Sequence, residues 1–432
     1  MLTLPHIWKE KRSRPVAIFG RGVSGQGVAK LLSKLEWKFN FYDIQEVEFS
    51  EEAAKMSSMV ITSPGFPADH PWIRLAHKSN LTVVGELDFA STLIDNEVVA
   101  VTGTNGKTSL VTFLTHLWKR LGKSVVCAGN VGTSFSEVVV DGLDSKTSIF
   151  LEVSSFQAAN LKFLKPSSLL WTNFSSDHLD YHKNLEEYFL AKFNLCRRLR
   201  SDGNFICGRS VVEFGGEKRL KVGANPEVVD SSRLSSLNIK EDHFFSSPAQ
   251  RENLSIAYAY AESKGIKKTE FEKAIQDYQP EPFRLSKVGV LEEVSFWNDS
   301  KATNFSAVLS ACKNFRERII WIGGGKEKGD ELQIFSCQMK EYLIQAFLIG
   351  EVAEKLGILL RKESISVTVC NTLKDAVGQA FSVAKRGTSI VFSPGFASFD
   401  MFTSYLERGN LFNQVFFDLK KRYTPCTQEE SI

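Results

Sequence analysis

A chain of 432 residues exceeds the usual span of one domain, and its 43% hydrophobic and 24% charged side chains suit a globular protein with several cores. The net charge of +3, with both signs spread along the chain, excludes the basic footprint of a nucleic-acid binder and the polybasic patch of a membrane-surface protein. The N-terminus has only short apolar pieces between its basic residues, no apolar run reaches the length of a membrane span, and the seven cysteines stand singly without metal-ligand spacing. A cytoplasmic, monomeric enzyme with reduced thiols is expected.

Apolar β-rich runs alternate with helical patterns, which predicts an α/β protein with largely parallel sheets. Val16–Phe19 reads as a strand, with a helix over Val28–Leu35 and further strands at Phe39–Tyr42 and Met59–Thr62. A second unit opens near Glu97, where the strand Val98–Thr102 runs into a Gly-Lys-Thr turn. A third follows Pro280 and Pro282, with strands at Ile319–Ile322, Ala346–Ile349 and Ser389–Phe392. Three α/β domains are expected, over residues 1–95, 96–283 and 284–432.

The motifs sit where these strands end. Thr102-Gly103-Thr104-Asn105-Gly106-Lys107-Thr108 leads into a predicted helix, Leu110–Leu121. Glycines let the N–H groups of such a turn point inward at a phosphate; the lysine reaches the β and γ oxygens and the hydroxyl lies near Mg²⁺. The long phosphate-loop pattern has glycine where this chain has Val101, and a plain turn with a helix start is the alternative. Gly20-Arg21-Gly22-Val23-Ser24-Gly25, with Asp43 ending the next strand, suits a pyrophosphate on a helix N-terminus, as in NAD binding, or a tight turn without ligand. A second glycine turn, Ser63-Pro64-Gly65, could close the same crevice.

Glu152-Val153-Ser154-Ser155-Phe156-Gln157 and Asp177-His178-Leu179-Asp180 follow the predicted strands Ser148–Leu151 and Leu169–Trp171. Glu152 and His178 could hold Mg²⁺ beside the phosphate turn, although an Asp-His pair alone also serves as a helix cap. Lys192 lies in a helical stretch and by pattern alone is a solvated lysine. In the third unit, the loops at Asp299–Asn304, Gly323–Gly329 and Ser393–Ser398 each follow a strand, and together suggest a crevice for an anionic ligand.

In order along the chain, Gly103–Thr108, Asn130 in Gly129-Asn130-Val131-Gly132, Glu152–Gln157, Asp177–Asp180 and Asp299–Asn304 resemble the Mur ligase family, from about residue 15 to about residue 420. The resemblance implies an N-terminal Rossmann-like nucleotide-binding domain, a central P-loop ATPase domain and a C-terminal Rossmann-like domain. It implies an ATP-dependent amide ligase of peptidoglycan precursor synthesis. The glycine-rich start, the Ser63–Gly65 turn and Ser393–Asp400 with Glu407-Arg408-Gly409-Asn410 imply D-glutamate as acceptor and UDP-N-acetylmuramoyl-L-alanine as donor.

Roles follow from the resemblance residue by residue. Ser24, Asp43, Ser63, Gly65 and Asn130 would bind the donor. Thr104, Asn105, Gly106, Lys107, Thr108, Asn253, Arg284 and Asp299 would bind ATP. Thr108, Glu152, His178 and Lys192 would serve two Mg²⁺ ions, with Lys192 carbamylated; Lys107, His178 and Lys192 would be catalytic. Lys301, Thr303, Lys328, Ser398 and Tyr405 would line the acceptor pocket. The chain departs from the family at Phe283, where His precedes the arginine, and at Ala249-Gln250, where the family has His-Asn.

Overall fold

The computed structural model describes residues 2–67, 69–130, 133–179, 181–217, 225–240, 244–327 and 332–423. Its strands fall into three sheets. The first has β1 (Val16–Phe19), β2 (Phe39–Tyr42), β3 (Met59–Thr62) and β4 (Thr82–Gly85), all parallel in the order β2-β1-β3-β4. The second has β5 (Val98–Thr102), β6 (Val125–Gly129), β7 (Ser148–Glu152), β8 (Ser168–Trp171), β9 (Asn204–Gly208) and β10 (Glu227–Val229), parallel in the order β10-β9-β8-β5-β7-β6. The third has β11 (Ser286–Leu291), β12 (Val294–Asn298), β13 (Ile319–Gly324), β14 (Leu343–Ile349), β15 (Ser366–Val369) and β16 (Ser389–Gly395), in the order β11-β12-β16-β13-β14-β15, with β11 alone antiparallel. This is the expected α/β class, with three largely parallel sheets.

The central strands are apolar at consecutive positions because helices cover both faces of each sheet. Side chains alternate across a strand, so Val16 and Ile18 enter one core while Ala17 and Phe19 enter another. In the second sheet Val98 and Ala100 face one way, Val99 and Val101 the other. In the third, Ile320 and Ile322 oppose Ile319 and Trp321. No helix among the described residues is long and apolar enough to cross a membrane.

The chain packs as two compact units: Met1–Ser175 with Tyr181–Gln279, and Ser176–Asp180 with Pro280–Ile432. The first unit therefore joins the first two sheets, and one hydrophobic core runs from Trp8 and Val16 through Phe89 to Trp171 and Cys207. Two carboxylates on the helix Glu86–Ser91 fasten the join. Asp88 is fully buried and accepts backbone N–H bonds from Lys162, Phe163 and Leu164 at 2.7, 2.7 and 2.8 Å. Glu86, also buried, accepts from the backbone N–H of Ser136 at the start of the helix Phe135–Asp141.

Burial raises the Glu86 carboxyl from the usual 4.5 to about 7, against the lowering effect of its hydrogen bonds. A folded value above the unfolded one favours the native state while the group is protonated. That contribution is complete below the ordinary value and is lost as pH rises through about 7. Glu86→Gln keeps the acceptor oxygen without the charge. It is expected to flatten the fall in stability between pH 5 and 8, a difference of roughly 3 kcal/mol at one unit per 1.4 kcal/mol. Parallel slopes for the two proteins in thermal unfolding across that range would refute the assignment.

Candidate active site

The phosphate turn is built by three adjacent strands. β5 ends at Thr102, and the helix Lys107–Arg120 starts five residues later, with Gly106 as its left-handed cap residue at φ +82°. Val101, where a long phosphate loop would need glycine, lies in the buried strand and pairs with Glu152 on one side and Leu170 on the other. Gly103 has φ +146°, and a Cβ there would lie 1.9 Å from Thr172 Oγ1. A Cβ on Gly106 would lie 2.2 Å from Asn253 Oδ1. Both glycines are therefore required by close approach.

The loop is tied to the residues that follow β8. Thr104 N donates to Asn173 O at 3.0 Å, Asn105 N to Asn173 Oδ1 at 2.9 Å, and Thr172 Oγ1 to Asn105 O at 2.6 Å. Thr104 Oγ1 donates to Ser175 O and accepts from Tyr188 Oη at 3.3 Å. Thr108 is buried in the first turn of the helix, whose N-terminal dipole favours an anion.

Lys107 Nζ donates to the carbonyls of Gly103 and Thr104 at 3.0 and 2.7 Å. Lys192 Nζ donates to the same Gly103 oxygen at 2.8 Å, so the two lysine nitrogens are at most about 6 Å apart. The pattern-based reading of Lys192 as a solvated lysine is corrected here. It is 1% exposed on the helix Leu185–Arg198, with its ammonium 4.6 Å from the centre of the Tyr188 ring. The Lys107 ammonium over a helix N-terminus makes this loop an attractor for negative charge.

Glu152 ends β7, beside the loop, and is 2% exposed. One of its carboxylate oxygens accepts from Asn130 Nδ2 at 3.0 Å, and Asn130 N donates to the Glu152 carbonyl at 3.0 Å. Gly129, at φ +105°, leaves room for that contact: a Cβ there would meet the Glu152 carbonyl at 2.2 Å. The other oxygen, Oε2, is buried with no hydrogen-bond partner. A buried carboxylate oxygen left over in this way suits a cation.

Among the described residues no three His, Cys, Asp or Glu side chains gather as a metal-binding group. Mg²⁺ typically takes one or two carboxylates and fills its shell with phosphate and water oxygens, which Glu152 and Thr108 at a phosphate loop suit.

No helix starts at Asp177, so the capping alternative for Asp177-His178 does not hold. Asp177 accepts from the His178 backbone N–H at 2.9 Å and from Asn304 Nδ2 at 2.9 Å, and His178 takes φ +57° with Nε2 3.6 Å from the carboxylate.

In the N-terminal sheet, Gly20 at φ +93° stands so close to Ser63 that a Cβ would meet its Oγ at 2.9 Å. The Asp43 carboxylate accepts the Arg21 N–H at 3.1 Å, holding the glycine turn to the end of β2. Ser24 is half-buried in the first turn of the helix Val23–Lys34, and Gly65 is exposed. Ser63 Oγ is buried without a partner and borders a cleft. Thr62, Ser63 and Phe66 form one side of that cleft, and Phe156, Gln157 and Asn160 another.

In the second unit Asp299 follows β12, accepting from Ser393 Oγ at 2.7 Å and Leu285 N at 3.0 Å. Burial pushes its carboxyl up to about 7. Arg284, beside it, has a buried Nε with no partner, and is flanked by Phe283 and Leu285 at φ +62° and +48°. Lys301 Nζ lies 3.8 Å from the centre of the Tyr405 ring, so two proposed acceptor residues do meet. Thr303 is half-buried in the same loop, and Ser398 is buried at the end of the loop after β16. Lys328 lies outside the described residues.

Residues 101–247 match the Mur ligase middle domain. Over 417 residues the chain is 34% identical to the UDP-N-acetylmuramoylalanine–D-glutamate ligase of Aquifex aeolicus, covering 92% of this chain and 97% of that protein. The chain belongs to the Mur ligase family. The ligase of the same name from Hydrogenobaculum is 31% identical over 92% of this chain and 97% of its own length. Among solved structures, the UDP-N-acetylmuramate–alanine ligase of Thermotoga maritima matches with a TM-score of 0.59, over 94% of this chain and 100% of that one, at 17% identity. Folylpolyglutamate synthase of Mycobacterium tuberculosis matches at 0.56, over 76% and 92%, at 13% identity. At such identities the likeness is one of fold.

Two of the residues at which this Mur ligase departs from the family pattern make local contacts. Gln250 Oε1 accepts from Asn253 Nδ2 at 3.2 Å, and so orients the asparagine that packs on Gly106. Phe283 is buried against Gly409, where a Cβ would meet its ring at 2.7 Å.

Sequence reasoning assigned no role to Arg408, which is 1% exposed. It donates to Ser300 Oγ at 3.1 Å, Ser300 O at 2.9 Å and Phe396 O at 3.1 Å, joining the loops that carry Lys301 and Ser398. Thr172 and Tyr188 were missed as well. A hydroxyl after a strand or a tyrosine in a helix has no pattern that announces its partner.

Proposed function

We propose that this Mur ligase joins D-glutamate to UDP-N-acetylmuramoyl-L-alanine at the expense of ATP, in peptidoglycan precursor synthesis. The observation that carries the reading is the pairing of a phosphate loop bearing Lys107 with the unpartnered Glu152 oxygen beside it. The choice of substrates rests on the names of the relatives in Aquifex and Hydrogenobaculum. Donor binding is assigned to residues 1–95 with Asn130, ATP binding mainly to residues 96–283, and acceptor binding to residues 284–432.

The donor's terminal carboxylate oxygen attacks the γ-phosphorus of ATP; an O–P bond forms as the bond to ADP breaks. The D-glutamate amine then attacks the carbonyl carbon of the acyl phosphate and loses a proton. The tetrahedral adduct collapses to the amide and expels inorganic phosphate. Catalysis of this kind depends on positioning and charge neutralisation. Lys107 and the N–H groups of Gly106–Thr108 would hold the β and γ phosphates, with Asn253, Arg284 and Asp299 around the rest of the nucleotide.

Thr108 and Glu152 would hold one Mg²⁺, and His178 and carbamylated Lys192 would serve a second. The ions would supply further neutralisation of the phosphates. Carbamylation replaces the Lys192 cation by an anion, which relieves its repulsion from Lys107 and from a metal. Lys301, Thr303, Lys328, Ser398 and Tyr405 would receive the acceptor, lysines facing its carboxylates.

Phosphate release from ATP, with Mg²⁺, UDP-N-acetylmuramoyl-L-alanine and one acceptor at a time, tests the proposal. Release with D-glutamate, and none with L-glutamate, L-lysine or meso-diaminopimelate, is the expected result. Release with a different acceptor would move the protein to another step of the family's chemistry, and none with any acceptor would overturn the reading.

A further inference from the structure

The helix Ser155–Ala159 has five residues, too few to be stable by itself, yet it presents Phe156 and Gln157 to the cleft beside Ser63. A capping box closes its first turn: Ser154 N donates to Gln157 Oε1 at 2.9 Å, and Ser154 Oγ accepts from Gln157 N at 3.3 Å. Asn194 Nδ2 holds its far end by donating to Ala158 O at 2.9 Å. Its near end is held by His182. The imidazole is 2% exposed, and its Nε2 shares a hydrogen bond of 3.0 Å with Ser155 Oγ, itself 1% exposed. The ring is stacked on Phe156 at an interplanar angle of 10° and a centroid distance of 5.7 Å. The imidazole also meets the ring of Tyr188 at 5.3 Å, whose hydroxyl reaches Thr104 of the phosphate loop.

We infer that His182 is a positioning residue for the donor: through Ser155 and Phe156 it fixes the short helix that walls the donor cleft. The inference rests on the proposed donor role of Ser63, which borders this cleft. His182 touches no reacting atom in this scheme. Its contribution is to keep Phe156 and Gln157 in one place, so its loss should weaken donor binding and leave the other two substrates alone.

The test compares His182→Phe, which keeps the stacking ring and removes the nitrogen, with His182→Gln, whose amide can occupy the Nε2 position. Ser155→Ala removes the other partner. KM is measured for the donor, ATP and D-glutamate, and donor binding without ATP by calorimetry, with melting temperatures as the control for folding. His182→Phe and Ser155→Ala should each raise the donor KM by about tenfold, the size expected when a buried hydrogen bond is broken. The KM for ATP and for D-glutamate should stay within about twofold, and His182→Gln should regain most of the donor affinity.

An unchanged donor KM in a folded His182→Phe protein would overturn the inference, as would equal rises in all three constants or no rescue by glutamine. Wild-type protein that fails to bind the donor at all would instead remove the reading on which the inference rests, and with it the inference.

Discussion

Lys192→Ala is expected to lower ligase turnover by about 10³-fold, at the upper end of what removing one charge-stabilising group costs an enzyme. The expectation follows from position. Lys192 is buried, and its nitrogen shares the Gly103 carbonyl with Lys107, in the loop assigned to the ATP phosphates. Truncation leaves a space where the proposed carbamate would stand. Acetate or another short carboxylate, added at high concentration, should therefore restore part of the rate by supplying the missing anion. Phosphate release with all three substrates, with and without acetate, reads the result, and the melting temperature shows whether the variant is folded. Full activity of Lys192→Ala without any additive would sink the carbamate.

Arg408→Met is expected to destabilise the second unit by about 2–4 kcal/mol, because it strips a buried donor from three acceptors at once. Ser300 O, Ser300 Oγ and Phe396 O would all lose their guanidinium partner. Those atoms belong to the loops that carry Lys301 and Ser398, so the KM for D-glutamate should rise by about tenfold or more, by the arithmetic of 1.4 kcal/mol per decade. Arg408→Lys should recover little, since a single ammonium cannot reproduce a planar fork that spans two loops. Denaturant unfolding and D-glutamate saturation curves check both parts. An unaltered KM in the methionine variant would mean that the loops hold their shape without the arginine.

The strands were legible because their residues are buried on both faces, which leaves a continuous apolar run such as Val98–Thr102 that ends on a glycine turn. Helix starts were less so. The helix after β1 is expected at Val28 but begins at Val23, because Gly25 and Gly27 break the pattern a helix normally writes. Both glycines are there for contact rather than propensity: a Cβ would lie 2.0 Å from the Gly20 carbonyl at Gly25, and 2.1 Å from Ser134 Oγ at Gly27.

Within the site, the phosphate turn and Glu152 could be read from chain order because each follows a strand directly. The burial of Lys192 and Arg408 could not. A lysine or arginine in a helix has the same local pattern whether it faces water or a carbonyl brought in from another loop. Phe283 shows the converse. It reads as a lost histidine, but its ring has a structural place against Gly409, which no pattern around residue 283 could reveal.

The order β8-β5-β7 places three strand ends side by side, with Thr172 and Asn173 after the first, the glycine turn after the second and Glu152 closing the third. Their spacing is fixed by backbone ladders, in which Val101 is matched to Glu152 and Thr102 to Trp171. Side chains beneath the ladder can therefore be exchanged for others of similar volume without moving the groups at its rim. This gives such a fold a wide allowance for drift, in keeping with an identity of only 34% to the Aquifex ligase over 92% of this chain.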